Sequence, residues 1–375
     1  QFGEGPACIV ADGNTWVAAG AAVQASLQSA GISVRTHILP AHPRPKPTVE
    51  LAETLKSVLA TDASTPVAVG SGVMNDVVKY AAFHLNRPYL CVATAASMDG
   101  YTSAGSPLSE KGFKKTLQCR PARAVLADLD VIAAAPPAMT GWGYGDLAGK
   151  VPAGADWIIA DALGIEAIDD TAWPMVQGNL RRWLSGPEAV AKGDRSAMEG
   201  LFAGLTLVGL AMEAHGSSRP ASGADHQVAH LWEMEDRLRD GERVSHGACV
   251  AVGCVTVLGL YDWLLAQDLS RLDTDGALRG ARTMADKEQD ILRAFGPGEV
   301  ADRAIAETRA KHAGATTLRA RLIRVASGWT RTTARLRAQI IPAGTMRTML
   351  TAAGAPASAA AVGVSDAHLR RTVLN

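Results

Sequence analysis

Short apolar runs alternate with helical periods through the first 137 residues, and then the alternation stops. Ala7-Cys8-Ile9-Val10-Ala11, Ile32-Ser33-Val34-Arg35-Thr36, Pro66-Val67-Ala68-Val69, Tyr89-Leu90-Cys91-Val92-Ala93 and Ala124-Val125-Leu126-Ala127 each read as a strand. Helical spacing fills about 16–29, 48–60 and 75–85 between them. Strands that alternate with helices specify βαβ units and a parallel sheet. After Ala134-Ala135-Pro136-Pro137 the β-branched runs give way to Ala- and Leu-rich segments. Apolar residues then recur at helical spacing through 157–163, 201–214, 224–238, 248–266, 283–295, 301–311 and 317–327. The expected organisation is an α/β domain over 1–137 and an all-α domain over 138–375. The Ala-rich stretch 353–364 reads as a loop with a short helix and carries no function.

Composition narrows the function classes. Lys+Arg 37 balance Asp+Glu 37, so no bulk charge draws the chain to nucleic acid or to an anionic membrane. The five cysteines are scattered and lie mostly in apolar runs, which reads as buried, reduced thiols. Gln1-Phe2-Gly3-Glu4 has neither the basic region nor the apolar core of a signal peptide. A cytoplasmic protein is expected. The most apolar uncharged stretch, 247–261, falls short of the ~20 residues a membrane span needs and carries three glycines. It reads as a buried helix, with no membrane span.

Four segments can carry chemistry. Gly70-Ser71-Gly72-Val73-Met74-Asn75-Asp76 follows a strand and opens a helix. Glycines there let the backbone approach a pyrophosphate, and the helix start offers free N–H groups. The third glycine of the usual dinucleotide fingerprint is replaced by Asn75, and a plain glycine turn with Asp76 against the helix dipole reads equally well. Thr94-Ala95-Ala96-Ser97-Met98-Asp99-Gly100-Tyr101-Thr102-Ser103 follows the fourth strand, at the carboxyl edge where parallel sheets bind ligands; read alone it is also a solvated polar loop. Asp146, in Gly143-Tyr144-Gly145-Asp146, reads by itself as an acid capping a helix start. His226 and His230 stand at i and i+4, on one face of a helix, and His246 precedes the apolar helix near Ala248. Each histidine alone reads as a hydrogen-bonded core residue. Together they suit a borderline divalent ion such as zinc or nickel. The run Glu233 to Asp240 reads as a solvated helix face. Lys150 and Arg219 are cations that could hold an anionic substrate group.

Taken in order, these segments resemble the superfamily of dehydroquinate synthase, iron-type alcohol dehydrogenases and glycerol dehydrogenase. Within it they most resemble the sn-glycerol-1-phosphate dehydrogenases, the bacterial branch above all. The carrying residues are Gly70-Ser71-Gly72, Asn75-Asp76, Lys79-Tyr80, Thr94 to Gly100, Gly145-Asp146, Ser218-Arg219-Pro220-Ala221-Ser222-Gly223, His226, His230 and His246-Gly247, with the opening Phe2-Gly3-Glu4-Gly5-Pro6 also fitting. The resemblance implies a dehydroquinate synthase-like fold, with the active site between a dinucleotide-binding domain and a helical metal domain. It implies NAD or NADP on the turn from Gly70 to Asp76 and on Thr94, Ala95, Ala96 and Ser97, with Ser103 nearby. It implies Asp146, His226 and His246 as ligands of zinc or nickel, with Asp99 and His230 on the substrate beside Asp146. A homodimer is the family expectation.

The reaction so implied is reduction of dihydroxyacetone phosphate to sn-glycerol 1-phosphate. The metal polarises the C2 carbonyl, nicotinamide delivers hydride to C2, and a proton arrives through water or a hydroxyl chain with His230 as relay. Lys150 or Arg219 is expected on the substrate phosphate, an assignment that the resemblance does not carry. Three alternatives share some of these features. The first is a dehydrogenase of another small polyol or aldehyde. The second is a sugar-phosphate cyclase, whose Asp-Ser-Ser-x-Gly-Gly-Lys pattern would put a lysine where Gly105 stands. The third is a nucleotide-binding protein without catalysis.

Overall fold

All five runs that read as strands form one sheet, and their burial explains its order. In the computed structural model, which describes residues 5–110, 113–235, 238, 239 and 241–374, the first strands are β1 (Ala7–Asp12), β2 (Val34–Leu39), β3 (Thr65–Gly70) and β4 (Leu90–Ala93). After β4 come β5 (Gly105–Glu110), β6 (Phe113–Gln118) and β7 (Ala124–Ala127). β2, β1, β3, β4 and β7 lie side by side in that order, all parallel. The central strands β1, β3 and β4 are almost wholly buried, whereas the edge strands β2 and β7 alternate with exposed residues. Successive side chains leave opposite faces of a strand. Cys8, Val10, Ala68, Cys91 and Ala93 therefore join one core, and Ile9, Ala11, Val67, Val69 and Val92 join another on the far side.

Helices cover both faces. α1 (Gly13–Thr15) runs through a π-helical turn at Trp16–Gly20 into α2 (Ala21–Ser29), and this side is lined by Trp16, Ala19, Val23 and Leu27. α3 (Val49–Leu59) and α4 (Gly72–His84) cover the other side. β2 starts two residues later than the expected Ile32. Gly31 adopts φ +77° to end α2, and Ile32 donates its N–H back to Leu27, so the helix terminus consumes the first residues of the apolar run.

Beyond β7 come α5 (Leu129–Ala133), α6 (Pro137–Ala148), α7 (Lys150–Ala162), α8 (Ala172–Gln177), α9 (Leu180–Trp183), α10 (Pro187–Ala191), α11 (Arg195–His215), α12 (Ala224–Met234) and α13 (His246–Leu265). The chain closes with α14 (Thr274–Arg279), α15 (Met284–Phe295), α16 (Glu299–Lys311), α17 (Ala315–Gln339), α18 (Ala343–Ala352) and α19 (Asp366–Leu374). Among the described residues the only strands in this half are the two-residue pair β8 (Leu238–Arg239) and β9 (Glu242–Arg243). α13 is apolar and long enough to cross a membrane, yet its residues from Gly247 to Val255 are buried in the protein's own core. The five cysteines are buried, and none is in a disulfide.

Two features depart from the sequence expectation. β5 and β6 form an antiparallel hairpin in a segment too polar, and too broken by Pro107, to read as strands. α12 ends at Met234 rather than near 238. Phe2-Gly3-Glu4 of the family resemblance, and Asp236, Arg237 and Asp240 of the charged run, lie outside the described residues.

Candidate active site

The loop between β4 and β5 reaches across to the helical half. Asn75 and Lys79, one turn apart on α4, hold it from below: Asn75 Nδ2 donates to the Gly100 carbonyl at 3.1 Å, and Lys79 Nζ donates to the carbonyls of Gly100 and Gly105 at 2.9 and 2.8 Å. Thr102 Oγ1 donates to the Thr206 carbonyl of α11 at 2.7 Å, and Ser103 Oγ to Gly100 at 3.3 Å. A lysine with no exposure spent on two carbonyls is a structural clamp, a role that its place in the family resemblance does not state.

The glycine turn and this loop meet. Ser71 Oγ lies 2.5 Å from Ser97 Oγ, and Thr94 donates its N–H to Gly70. Ser71 stands at the N-cap of the 13-residue α4 without capping it by its side chain. The first-turn N–H groups of Gly72, Val73 and Met74 have no acceptor within the helix, which is what an anion at a helix start requires. A Cβ at Gly70 would sit 2.6 Å from Met74 Cγ, so only glycine fits there. Met74, Asn75 and Asp76 are buried, and the Asn75 and Asp76 side chains face the loop and Lys79. Burial pushes the Asp76 carboxyl up to about 6 despite Lys79. Of the residues expected to bind cofactor, Gly70 to Val73 and Thr94 to Ser97 offer backbone and hydroxyl groups, while Asn75, Asp76 and Ser103 hold the frame.

Asp146 is not a helix cap. It lies near the end of α6, with no exposure, because α6 and α13 cross closely. A Cβ at Gly145 would meet Ala251 Cβ at 2.6 Å and the Gly247 carbonyl at 2.7 Å, and one at Gly143 would overlap the Ala96 carbonyl. Glycines in this helix interior therefore serve contact rather than a bend, and they let a carboxylate reach neighbouring histidines.

Around Asp146 the two halves converge. Asp146 Oδ2 accepts from the Asp99 N–H at 3.0 Å. Lys150 Nζ lies 2.7 Å from Asp146 Oδ1 and 2.7 Å from Asp99 Oδ2. His226 Nε2 is 3.7 Å from Asp146 Oδ1, and ligand atoms of Asp146, His226 and His246 all lie within 4.8 Å of one another. His226 donates from Nδ1 to Asp225 Oδ2 at 2.7 Å, which leaves Nε2 facing Asp146. His246, the first residue of α13 after the Ser245 N-cap, donates from Nδ1 to Glu233 Oε1 at 2.8 Å. His230 stacks on His246, with ring centroids 5.8 Å apart and 21° between planes.

The electrostatics follow from burial and these neighbours. Burial alone would raise the Asp146 carboxyl, but Lys150, His226 and His246 hold it well below its usual range. Burial would lower Lys150, yet Asp146 and Asp99 hold its ammonium above its ordinary value. His226 is likewise penalised by burial, and Asp225 lifts it to about 9. His230 is pushed down to about 3 by burial and by Lys114, so its ring is neutral.

Lys150 and Arg219, expected on a substrate phosphate, are both engaged. Lys150 is fully buried between two carboxylates. Arg219 pairs with Glu166 at 3.0 Å and touches the Asp156 carbonyl, while Asp156 Oδ2 accepts from the Ala224 N–H at the start of α12. Glu233 also departs from expectation: it is half-buried, its carboxylate paired with Lys114 and His246, and not part of a solvated face. No sequence signal marks it, because its partners come from β6 and α13.

Comparison with known proteins fits this geometry. Residues 3–136 match the family described as iron-containing alcohol dehydrogenase. The NAD(P)+ glycerol-1-phosphate dehydrogenase of Bacillus velezensis is 34% identical over 263 residues, 69% of this chain and 66% of that protein. The protein of the same description from Aeropyrum pernix is 32% identical over 73% of this chain and 75% of its own length. The chain thus spans just under two thirds of the Bacillus relative and three quarters of the archaeal one. The crystal structure of sulfoacetaldehyde reductase from Bifidobacterium kashiwanohense, in complex with NAD+, superposes with a TM-score of 0.59 at 14% identity, covering 98% of this chain and 84% of that one. At that identity the likeness concerns the fold.

Proposed function

Because the chain belongs to the glycerol-1-phosphate dehydrogenase family, we propose that it is a metal-dependent, NAD(P)-linked dehydrogenase acting on dihydroxyacetone phosphate. The observation that carries this reading is the convergence of Asp146, His226 and His246 within 4.8 Å, beside a loop that packs on the glycine turn. The donor set fits one divalent ion: a buried carboxylate and two imidazoles, each with Nδ1 held by an acid so that Nε2 is left to ligate. The glycine turn fits a dinucleotide pyrophosphate on the N–H groups of Gly72 to Met74. When bound, the ion supplies Lewis acidity to the C2 carbonyl and the nicotinamide supplies the hydride.

The chain's own residues do the rest. Asp99, Asp146 and Asp225 against Lys150 leave two formal negative charges around the triad, which a divalent ion balances. Lys150 holds the Asp146 carboxylate ionised and pairs with Asp99, and it reaches a substrate phosphate only if it leaves them. Arg219 is engaged by Glu166 and the carbonyl of Asp156, the residue whose carboxylate holds the start of α12. His230, held neutral, offers an N–H and a lone pair at the face of His246 for proton exchange with a substrate hydroxyl or water. Ser71 and Ser97 join the two cofactor segments. A lysine at position 105, as in a sugar-phosphate cyclase, would require Thr116 to shift, since a Cβ there would meet Thr116 Cγ2 at 2.6 Å. The metal as zinc or nickel, a cytoplasmic setting and a homodimer belong to the same proposal.

The test is an assay of nicotinamide oxidation after metal reconstitution, with dihydroxyacetone phosphate and unphosphorylated dihydroxyacetone side by side. Preference for the phosphorylated ketone, lost in His226→Ala, supports the reading. Equal turnover of both ketones points to another small polyol or aldehyde. Wild-type turnover in His226→Ala refutes the metal role.

A further inference from the structure

Glu233 stands one turn after His230 on α12, and its two carboxylate oxygens face different halves of the molecule. Oε1 accepts from His246 Nδ1 at 2.8 Å, and Oε2 accepts from Lys114 Nζ at 2.6 Å. Lys114 lies on β6, in the hairpin that leaves the sheet half and packs against α12. An unbroken chain therefore runs from the hairpin through Glu233 to a member of the metal-binding triad.

Two readings of this chain compete. His230, Glu233 and His246 also bring ligand atoms within 4.8 Å of one another and could form a second cation site. Lys114 decides against it. Its ammonium already supplies the positive charge at Glu233, and His246 Nδ1 already donates to the other oxygen. An ion there would have to displace both.

We propose that Glu233 is a positioning residue for the metal centre, fixing His246 with Nδ1 protonated and Nε2 free to ligate, and that Lys114 clamps Glu233 from the β5–β6 hairpin. The same arrangement serves His226, but its acid, Asp225, is the adjacent residue of the same helix. Of the two histidines, only His246 is tied, through Glu233, to a residue of the sheet half, Lys114. Metal affinity thereby depends on where the hairpin sits.

The inference rests on the metal reading of Asp146, His226 and His246. It is tested by zinc affinity, measured by competition with a chromophoric chelator, and by nucleotide binding, followed by nicotinamide fluorescence. The variants are Glu233→Gln, Lys114→Met, Lys114→Arg and the double variant Lys114→Met/Glu233→Gln. Glu233→Gln is expected to weaken zinc about 10–100-fold, the usual cost of losing the acid behind a ligating histidine, with nucleotide affinity unchanged. Lys114→Met weakens zinc by less, and Lys114→Arg restores it. The double variant is no weaker than Glu233→Gln alone, because both changes break one chain. Wild-type zinc affinity in Glu233→Gln overturns the proposal, as does full additivity in the double variant. If Glu233→Gln does not fold, the Lys114→Met and Lys114→Arg pair decides by loss and rescue. Zinc bound equally by wild type and His226→Ala overturns the metal reading as well, whereas tight wild-type zinc with an indifferent Glu233→Gln overturns only this inference.

Discussion

Gly145→Ala adds one methyl group where α6 crosses α13. The new Cβ would lie 2.6 Å from Ala251 Cβ and 2.7 Å from the Gly247 carbonyl, where ordinary contact begins at 3.4 Å. The helices must part by about 0.7–0.8 Å at that point, the difference between those distances. Asp146 is the next residue on α6, and His246 precedes Gly247 on α13, so the separation falls on two members of the triad. Metal–ligand distances tolerate only about 0.2 Å. Overpacking costs about 1–3 kcal/mol, partly offset by about 1 kcal/mol from replacing glycine in a helix. A modest stability loss is thus expected with a large metal loss, at least tenfold in zinc affinity and in turnover. Gly259→Ala is the matched control: it lies on α13, its Cβ meets nothing within 4 Å, and it is expected to stabilise by about 0.5–1 kcal/mol without touching zinc binding. Urea denaturation and chelator competition on both variants make the comparison. Gly145→Ala matching Gly259→Ala in stability and in zinc affinity would refute the crossing argument.

Two further outcomes follow from the buried charges. Lys150→Met leaves Asp99 and Asp146 facing each other without their cation, at a cost of about 3–5 kcal/mol in the metal-free protein. Added zinc should recover more stability in this variant than in wild type, and an unchanged melting curve without metal would contradict the counter-charge role. Asp76 has its carboxyl pushed up to about 6 by burial, above the 3.8 of an unfolded chain. The folded state then holds a proton that the unfolded state has released, so this group costs stability as pH rises from about 4 to 6. Asp76→Asn should gain on wild type across that window, and a difference in urea midpoint that stays flat with pH would show the carboxyl is not so shifted.

Much of this fold is legible in the sequence because its signals are local. Each central strand is an unbroken apolar run, since parallel strands are buried on both faces, and α12 announces its paired histidines by i,i+4 spacing. Where a helix end or a turn competes for the same residues, the boundary slips, as at Ile32. The β5–β6 hairpin is invisible for the opposite reason. Its strands are polar and carry Pro107, and they are held partly by Lys79 reaching the Gly105 carbonyl from α4.

The site divides along the same line. The metal ligands proposed for it, Asp146, His226 and His246, are reached from the sequence through resemblance and histidine spacing. What tunes them is not, because each tuning contact joins segments far apart in the chain: Asp99 with Asp146 and Lys150, and Lys114 with Glu233. The charged run beginning at Glu233 shows why composition misleads there. An acid among acids and arginines reads as a wet surface, until a lysine from β6 and a histidine from α13 close over it. A buried charge is affordable only where partners meet it, and partners supplied by other elements leave no trace in the spacing around it. Buried acids and lysines in this chain are therefore the residues whose roles the fold, and not the local sequence, decides.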